Sequence, residues 1–181
     1  MKTLRLTNSS AGDILNDLLK RSPNNYTEYE GAVSAIVEDI RQRGDAAVFE
    51  YTQKFDKAQL DKDTVTVSED EIREAYEQID KDLLGVIRRS MANIRAYHEK
   101  QKRYGWFDTT PDGTILGQKV TPLASAGIYV PGGKAAYPSS VLMNTIPAQV
   151  AGVENIIMVT PPGKDGKVNP TTLVAACEAG A

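Results

Sequence analysis

The last third of the sequence alternates between short apolar runs and segments of helical length. "AGIYV" is followed by a glycine-rich loop and by "SVLMNTIPAQVAG", and "NIIMVT" is followed by "PPGKDGKVN" and by "PTTLVAACEAG". This alternation indicates parallel strands, because a parallel pair needs a crossover helix between its two strands. Residues 125–181 are therefore predicted to form an α/β unit whose small parallel sheet is buried on both faces.

The predicted unit is small, because two parallel strands make an unusually narrow sheet. Pro170 suits the first turn of the last helix and Gly180 suits its end. The next strand of the pattern would be due just after Ala181. We therefore expect an incomplete Rossmann-like α/β unit over residues 125–181. Either the early helices and a returning segment cover the missing edge of its sheet, or the sequence is the front part of a longer protein, which the pattern favours.

Residues 1–104 have the apolar spacing of helices. An N-terminal arm or helix is predicted over residues 1–25, and a helical segment over residues 26–104, where one helix ends at Gly44. "DAAVFEYTQKF" predicts a further helix, and Leu83, Ile87 and Met91 belong to the apolar stripe of a long one. N-terminal helices packed on the sheet complete the predicted fold class, and residues 26–181 are expected to form one packed domain.

Two shorter features of the helical segment make local predictions. Ser68 is followed three residues later by Glu71, which is the spacing of a capping box at a helix start. Just before it, "DTVTVS" alternates β-branched with polar residues and predicts an isolated short strand.

Residues 105–124 are predicted to form a β flap or linker. Charge thins out there, and "PDG" is a turn sequence between segments of extended type. Trp106 and Phe107 are expected to anchor this junction by burial, although exposed aromatic residues at a lid would produce the same sequence.

Composition excludes several classes of function. The net charge is −3 and no sustained basic run occurs, so nucleic-acid binding is not expected. No apolar run is long enough to cross a bilayer, and the N-terminus lacks the apolar core of a signal peptide. We therefore expect a cytoplasmic protein without membrane contact.

The chain has few residues that could bind a transition metal or act as a thiol. The chain has one histidine, His98, and one cysteine, Cys177, far apart in sequence. Catalytic zinc usually takes several imidazole or thiolate ligands, so no metal site and no internal disulfide are predicted. His98 is interpreted as a solvated helix residue and Cys177 as a core residue of a late helix, and no catalytic residue is assigned within the chain.

The loop "YVPGGKAAYPSS" is the candidate binding site. Ligands of α/β sheets collect at the carboxyl ends of strands, and Gly132 and Gly133 leave room for a ligand to approach the backbone. Ser139 or Ser140 is predicted to cap the next helix. A plain Pro-Gly turn before a capped helix explains the same residues equally well.

Two nucleotide-binding motifs fail to match this loop. A Walker A loop needs Ser or Thr after its lysine, whereas Lys134 is followed by Ala135, and its first glycine is misplaced by one residue. The Rossmann GxGxxG motif is absent as well. Tyr129 remains the unusual residue, because a tyrosine at a strand end can stack on a planar ring, although packing tyrosines are commoner.

Three stretches resemble the N-terminal part of histidinol dehydrogenases: "RGDAAVFEYTQKFDK", "IRRSMANIRAYHEKQ" and above all "TPLASAGIYVPGGKAAYPSSVLMNTIPAQVAGVENIIMVTPP". The resemblance implies a zinc-dependent homodimer that oxidises L-histidinol to L-histidine with two NAD in histidine biosynthesis. It also implies that Tyr129 contacts NAD, with Gly132 and Gly133 beside it. The family's zinc ligands and its Glu-His acid-base pair lie in a later region with no counterpart here.

Three hypotheses follow. The first is that the chain supplies scaffold and part of the NAD cleft of such an enzyme and is inactive alone. The second is a truncated, non-enzymatic module that binds a nucleotide, or a partner through its exposed sheet edge. The third is a P-loop-like phosphate binder, for which replacing Lys134 would matter more than replacing Tyr129; we expect the reverse order.

Overall fold

The computed structural model describes residue 7, residues 27–132 and residues 136–181. Within these residues the chain forms six helices and four strands. The helices are α1 (Thr27–Arg43), α2 (Asp45–Asp56), α3 (Glu69–Gln78), α4 (Lys81–Glu99), α5 (Pro138–Ala151) and α6 (Pro170–Ala179). The strands are β1 (Trp106–Thr109), β2 (Ile115–Gln118), β3 (Ser125–Tyr129) and β4 (Asn155–Val159).

This arrangement confirms the predicted α/β fold class. The described residues fall into two compact units that divide between Val48 and Phe49. Apart from Thr7, the arm or helix predicted over residues 1–25 lies outside the described residues. None of the helices in the described part of the chain is long and apolar enough to span a membrane.

Helix α1 ends where the sequence predicted. Gly44 takes a positive φ of 59°, and its amide donates a hydrogen bond to the carbonyl oxygen of Ile40 at 2.8 Å. A glycine reaches this left-handed conformation without the clash that a Cβ atom would cause, so the chain can turn directly into α2.

The start of α3 confirms the predicted capping box. The Ser68 hydroxyl oxygen accepts the amide of Glu71 at 3.2 Å, and the Glu71 carboxylate accepts the amide of Ser68 at 2.8 Å. Two backbone donors that the helix itself leaves free are thereby satisfied.

The isolated strand predicted for "DTVTVS" is wrong, because the segment forms turns instead. The carboxylate of Asp61 accepts the amides of Asp63 at 2.9 Å and Thr64 at 3.0 Å. These hydrogen bonds hold the pKa of Asp61 below its usual value, with the bond from Asp63 as the main cause. Hydrogen bonds between a side chain and the backbone amides that follow it compete with extended structure. In this segment they stabilise the turns, and no strand forms.

The main core lies between the parallel sheet and helices α4, α5 and α6. Strand β3 pairs with β4 in parallel, with Gly127 opposite Ile157 and Tyr129 opposite Val159. The core cluster joins Val130 at the end of β3 to residues of the three helices, namely Ile87, Val141, Leu142, Ile146, Val150, Ala175, Ala176 and Ala179. A second cluster packs α3 against α6 around Ala75, Leu173 and Val174.

The prediction that the sheet is buried on both faces is wrong for the described residues. Tyr129, Ile157 and Val159 point away from the helices and are 61%, 63% and 58% exposed. The cause is that α5 and α6 pack side by side, so both helices that follow a parallel strand belong to a single layer. The opposite face has no comparable cover in the part of the chain that the structure describes.

Strands β1 and β2 form the predicted flap as an antiparallel hairpin, with Trp106 opposite Gln118 and Phe107 opposite Gly117. Burial of its two aromatic residues was wrongly predicted, because Trp106 is 57% and Phe107 67% exposed. All eight strand residues are exposed, since neither face of the hairpin is covered in the described residues. The alternative of exposed aromatic residues on a flap therefore describes the structure.

Candidate functional site

The carboxyl ends of β3 and β4 form the predicted site region. The amide of Val130 donates to the carbonyl oxygen of Val159 at 3.0 Å, which extends the ladder one residue beyond Tyr129. Val130 is fully buried, whereas Tyr129, on the uncovered face, is 61% exposed. Tyr129 therefore stands at the strand end with its aromatic ring accessible to a ligand.

Gly132 lies where the loops after β3 and β4 approach each other. A Cβ atom added to Gly132 would lie 2.7 Å from the carbonyl oxygen of Pro161, closer than real Cβ contacts. Its φ is not in the left-handed region, so the structure uses the missing side chain of this glycine for loop packing. Gly133, together with Lys134, lies outside the described residues.

Helix α5 begins without the predicted serine cap, so that prediction is wrong. Its N-cap residue is Tyr137, which makes no side-chain capping hydrogen bond, and Pro138 occupies the first turn. Ser139 and Ser140 are already inside the helix, and the amide of Ser140 donates to the carbonyl oxygen of Tyr137 at 3.0 Å. Proline starts the helix one residue earlier because its φ is already helical and it has no amide to cap.

A cleft of about 370 Å³ opens next to Gly132, between α3 and the loop that joins β4 to α6. Its polar lining includes Glu71, Glu74, Asp165, Lys167, Asn169 and Thr172. The sequence did not indicate these residues as a site, since nothing in the periodicity of α3 shows that it faces the "PPGKDGKVN" loop. Tyr129 is not among the described residues that line the cleft, so Tyr129 and Gly132 border two different surfaces of one strand end.

An ion pair crosses the cleft. Lys167 Nζ lies 2.7 Å from a carboxylate oxygen of Glu74, and both side chains are about half exposed. The hydrogen bond and charge of Lys167 lower the pKa of Glu74, and those of Glu74 raise the pKa of Lys167. The pair joins α3 to the loop before α6, and exposed pairs of this kind contribute little to stability.

His98 and Cys177 lie apart from this region. Nδ1 of His98, in the last turn of α4, is 2.7 Å from Oε1 of Gln101, which lies just after the end of the helix. Cys177 is half-buried beside the second core cluster, and burial raises the pKa of its thiol. Among residues 27–132 and 136–181, no group of three or more His, Cys, Asp or Glu side chains is arranged to hold a metal ion.

The sequence model of the histidinol dehydrogenases matches residues 19–181. The chain belongs to the histidinol dehydrogenase family. A histidinol dehydrogenase of Bacillus subtilis is 57% identical over 163 residues, which are 90% of this chain and 38% of that relative. One from Heliobacterium mobile is 57% identical over 148 residues, which are 82% of this chain and 35% of the relative.

The fold agrees with this membership. The crystal structure of histidinol dehydrogenase from Elizabethkingia anophelis superposes with a TM-score of 0.77 at 38% sequence identity, over 84% of this chain and 35% of that one. The chain thus spans less than two fifths of the length of the histidinol dehydrogenases that it matches.

Proposed function

We propose that this chain is the N-terminal part of a zinc-dependent histidinol dehydrogenase. The enzyme would oxidise L-histidinol to L-histidine with two NAD, as a cytoplasmic homodimer in histidine biosynthesis. The observation that carries this proposal is the family match over residues 19–181, with a relative 57% identical of which the chain covers 38%. The chain would supply scaffold and one side of the NAD cleft, and it would be inactive alone.

Tyr129 is the residue that we propose contacts NAD, with Gly132 and Gly133 on the adjoining loop. Three observations support a fit. The Tyr129 ring is exposed at the strand end, Val159 beside it adds an apolar surface, and no atom lies within 4 Å of a Cβ atom added to Gly127. A planar ring has room to lie against this surface.

NAD, when bound, supplies the acceptor for the hydride that leaves the substrate carbon. The role proposed for this chain is to bind and orient NAD. The Tyr129 ring would hold one planar group of NAD, and the apolar strand residues would exclude water on that side. The described residues do not fit zinc, because they contain no suitable group of ligands. No catalytic step is proposed for the residues of this chain.

A chimera tests the proposal. This chain would replace the matching segment of the Bacillus subtilis relative, and histidinol-dependent NADH formation would be measured. We expect activity, and we expect Tyr129→Ala to raise the KM for NAD by about tenfold or more, the range for loss of one aromatic stacking contact. Tyr129→Phe should keep most of the affinity if the ring, not the hydroxyl, makes the contact.

Tyr104→Ala is the matched control, since Tyr104 is 75% exposed and lines a different cleft, with Pro147 and Ala151. A folded but inactive chimera would favour the non-enzymatic module, and a larger effect of Lys134→Ala than of Tyr129→Ala would favour the phosphate binder. Turnover of histidinol by the 181-residue chain alone, with stoichiometric zinc, would contradict its proposed inactivity.

A further inference from the structure

The loop that joins β4 to α6, residues 160–169, is closed by its own hydrogen bonds. The amide of Gly163 donates to the carbonyl oxygen of Lys167 at 2.8 Å, and the amide of Gly166 donates to the carbonyl oxygen of Gly163 at 2.9 Å. The carboxylate of Asp165 accepts the amide of Lys167 at 3.1 Å. This part of the loop is therefore a closed turn, and Gly166 takes the positive φ of 78° that favours glycine.

The two ends of this turn contact different parts of the molecule. On the side of β4, the carbonyl oxygen of Pro161 lies 2.7 Å from the position that a Cβ atom of Gly132 would take. On the side of α6, Val168 packs against the second core cluster. Only Pro162, whose ring fixes its φ, separates Pro161 from the turn, so a shift of the turn would move Pro161 relative to Gly132.

One ion pair joins the turn to a helix that is distant in the chain. Nζ of Lys167 lies 2.7 Å from Oε2 of Glu74 on α3. The capping box orders the start of α3, and Ala75, next to Glu74, is buried in the second core cluster with residues of α6. Helix α3 is therefore a fixed support to which the ion pair holds the turn.

We propose that Glu74 and Lys167 are positioning residues for NAD binding. Their ion pair would fix the turn, the turn would fix Pro161, and Pro161 would set where Gly132 lies beside Tyr129. The inference rests on the proposed function, in which Tyr129 and Gly132 border the bound NAD. Because the pair acts through the loop and not on the reacting atoms, its loss should weaken NAD binding and leave the chemical step unchanged.

Kinetics of the chimera with the Bacillus subtilis relative test this inference. We expect Glu74→Gln and Lys167→Met each to raise the KM for NAD about two- to fivefold, the range for loss of one exposed ion pair, with kcat unchanged. Lys167→Arg keeps the charge and should keep the KM. Asp70→Asn is the matched control, because it removes an exposed ion pair with Arg73 that lies within α3 and does not reach the loop.

Salt adds a readout that a purely steric role of these side chains would not change. Raising the NaCl concentration from about 10 mM to about 1 M shortens the Debye length from about 30 Å to about 3 Å. The KM of the Glu74→Gln chimera, divided by that of the unchanged chimera, should then fall toward one, because salt weakens an attraction that the variant already lacks. A constant ratio, or a loss of kcat without a change in KM, would overturn the positioning role.

Nuclear magnetic resonance of the 181-residue chain separates failure of this inference from failure of the proposed function. The amide signal of Gly132 should shift in Lys167→Met, because Pro161 would move relative to it, and should keep its position in Asp70→Asn. An unshifted signal in Lys167→Met would overturn the inference, whether or not the chimera is active.

The remaining outcomes combine the signal of Gly132 with the activity of the chimera. A shifted signal with an inactive chimera would retain the coupling of Lys167 to Gly132 and contradict the proposed function. A shifted signal with an active chimera whose KM for NAD does not respond to Lys167→Met would overturn the role of the pair in NAD binding and leave the proposed function standing.

Discussion

Arg88 on α4 donates two hydrogen bonds to the carboxylate of Glu178 on α6, from Nε to Oε2 at 2.7 Å and from Nη2 to Oε1 at 2.9 Å. The hydroxyl of Tyr76 on α3 donates to the same carboxylate at 2.8 Å. Only 13% of the Glu178 side chain is exposed. One carboxylate therefore ties together the three helices beside the second core cluster, although α6 is far from the other two along the chain.

Glu178→Ala should destabilise the fold, because it leaves the Tyr76 hydroxyl without its acceptor and the Arg88 guanidinium without its counter-charge. We expect a loss of about 2 kcal/mol in the free energy of unfolding, the range for hydrogen bonds to a charged group. Urea denaturation would measure it. Glu154→Ala, at an exposed position, should change stability by less than about 0.5 kcal/mol, and equal effects of the two variants would contradict the importance of the cluster.

Tyr76 should make the stability of the chain fall at alkaline pH. Burial, followed by the hydrogen bond to Glu178, raises the pKa of Tyr76 from 10.0 to about 12. Because the folded value is above the unfolded one, the contribution is complete below pH 10 and is lost as the pH rises through about 12. Urea titrations across this range should show the loss, and Tyr76→Phe should remove that part of the pH dependence.

Ser68 and Ser139 form a matched pair of serines at helix starts. Ser68→Ala removes a capping bond of α3 and should cost about 1 kcal/mol in the free energy of unfolding. Ser139→Ala should have little effect, because Ser139 is exposed and α5 has no side-chain cap. Thermal melts of the two variants would compare their losses of stability. A larger loss of stability for Ser139→Ala than for Ser68→Ala would contradict the observed start of α5.

Lys57→Gly should stabilise the chain. Lys57, directly after α2, takes a φ of 63°, which is unfavourable for a residue with a Cβ atom. Relief of this strain, reduced by the greater freedom of glycine in the unfolded chain, should give a net gain of about 0.5–1 kcal/mol. Lys54→Gly inside α2 is the control and should lose about 1 kcal/mol. A loss for Lys57→Gly would show that the conformation is not strained.

Several features that depend on neighbouring residues were predictable from the sequence. The capping box at Ser68, the positive φ at Gly44 and the hairpin turn with Gly113 each depend on a few consecutive residues. The same holds for the alternation that produced the parallel pair of β3 and β4. Two of the wrong predictions, burial of Trp106 and Phe107 and a second covered sheet face, depend on which distant segment packs against a residue. The other two, the strand at "DTVTVS" and the serine cap of α5, failed because a neighbouring residue, Asp61 or Pro138, stabilises a different local structure.

Only one part of the candidate site could likewise be predicted from the sequence. Tyr129 and Gly132 could be chosen from the sequence because they follow an apolar run and belong to a segment that resembles the histidinol dehydrogenases. The cleft beside Gly132, with the pair of Glu74 and Lys167, could not be, because its two walls are far apart in the chain.

The amino-acid sequence determined the helices, the parallel strands and the family, since these depend on local spacing and on matched segments. Tertiary packing decided that α5 and α6 share one layer, that Tyr129 lies on the opposite, open face, and that Glu178 joins three helices. The physical basis of this packing is burial of apolar surface between segments far apart in the chain. No local sequence pattern shows which face of a helix or sheet will be left without a partner.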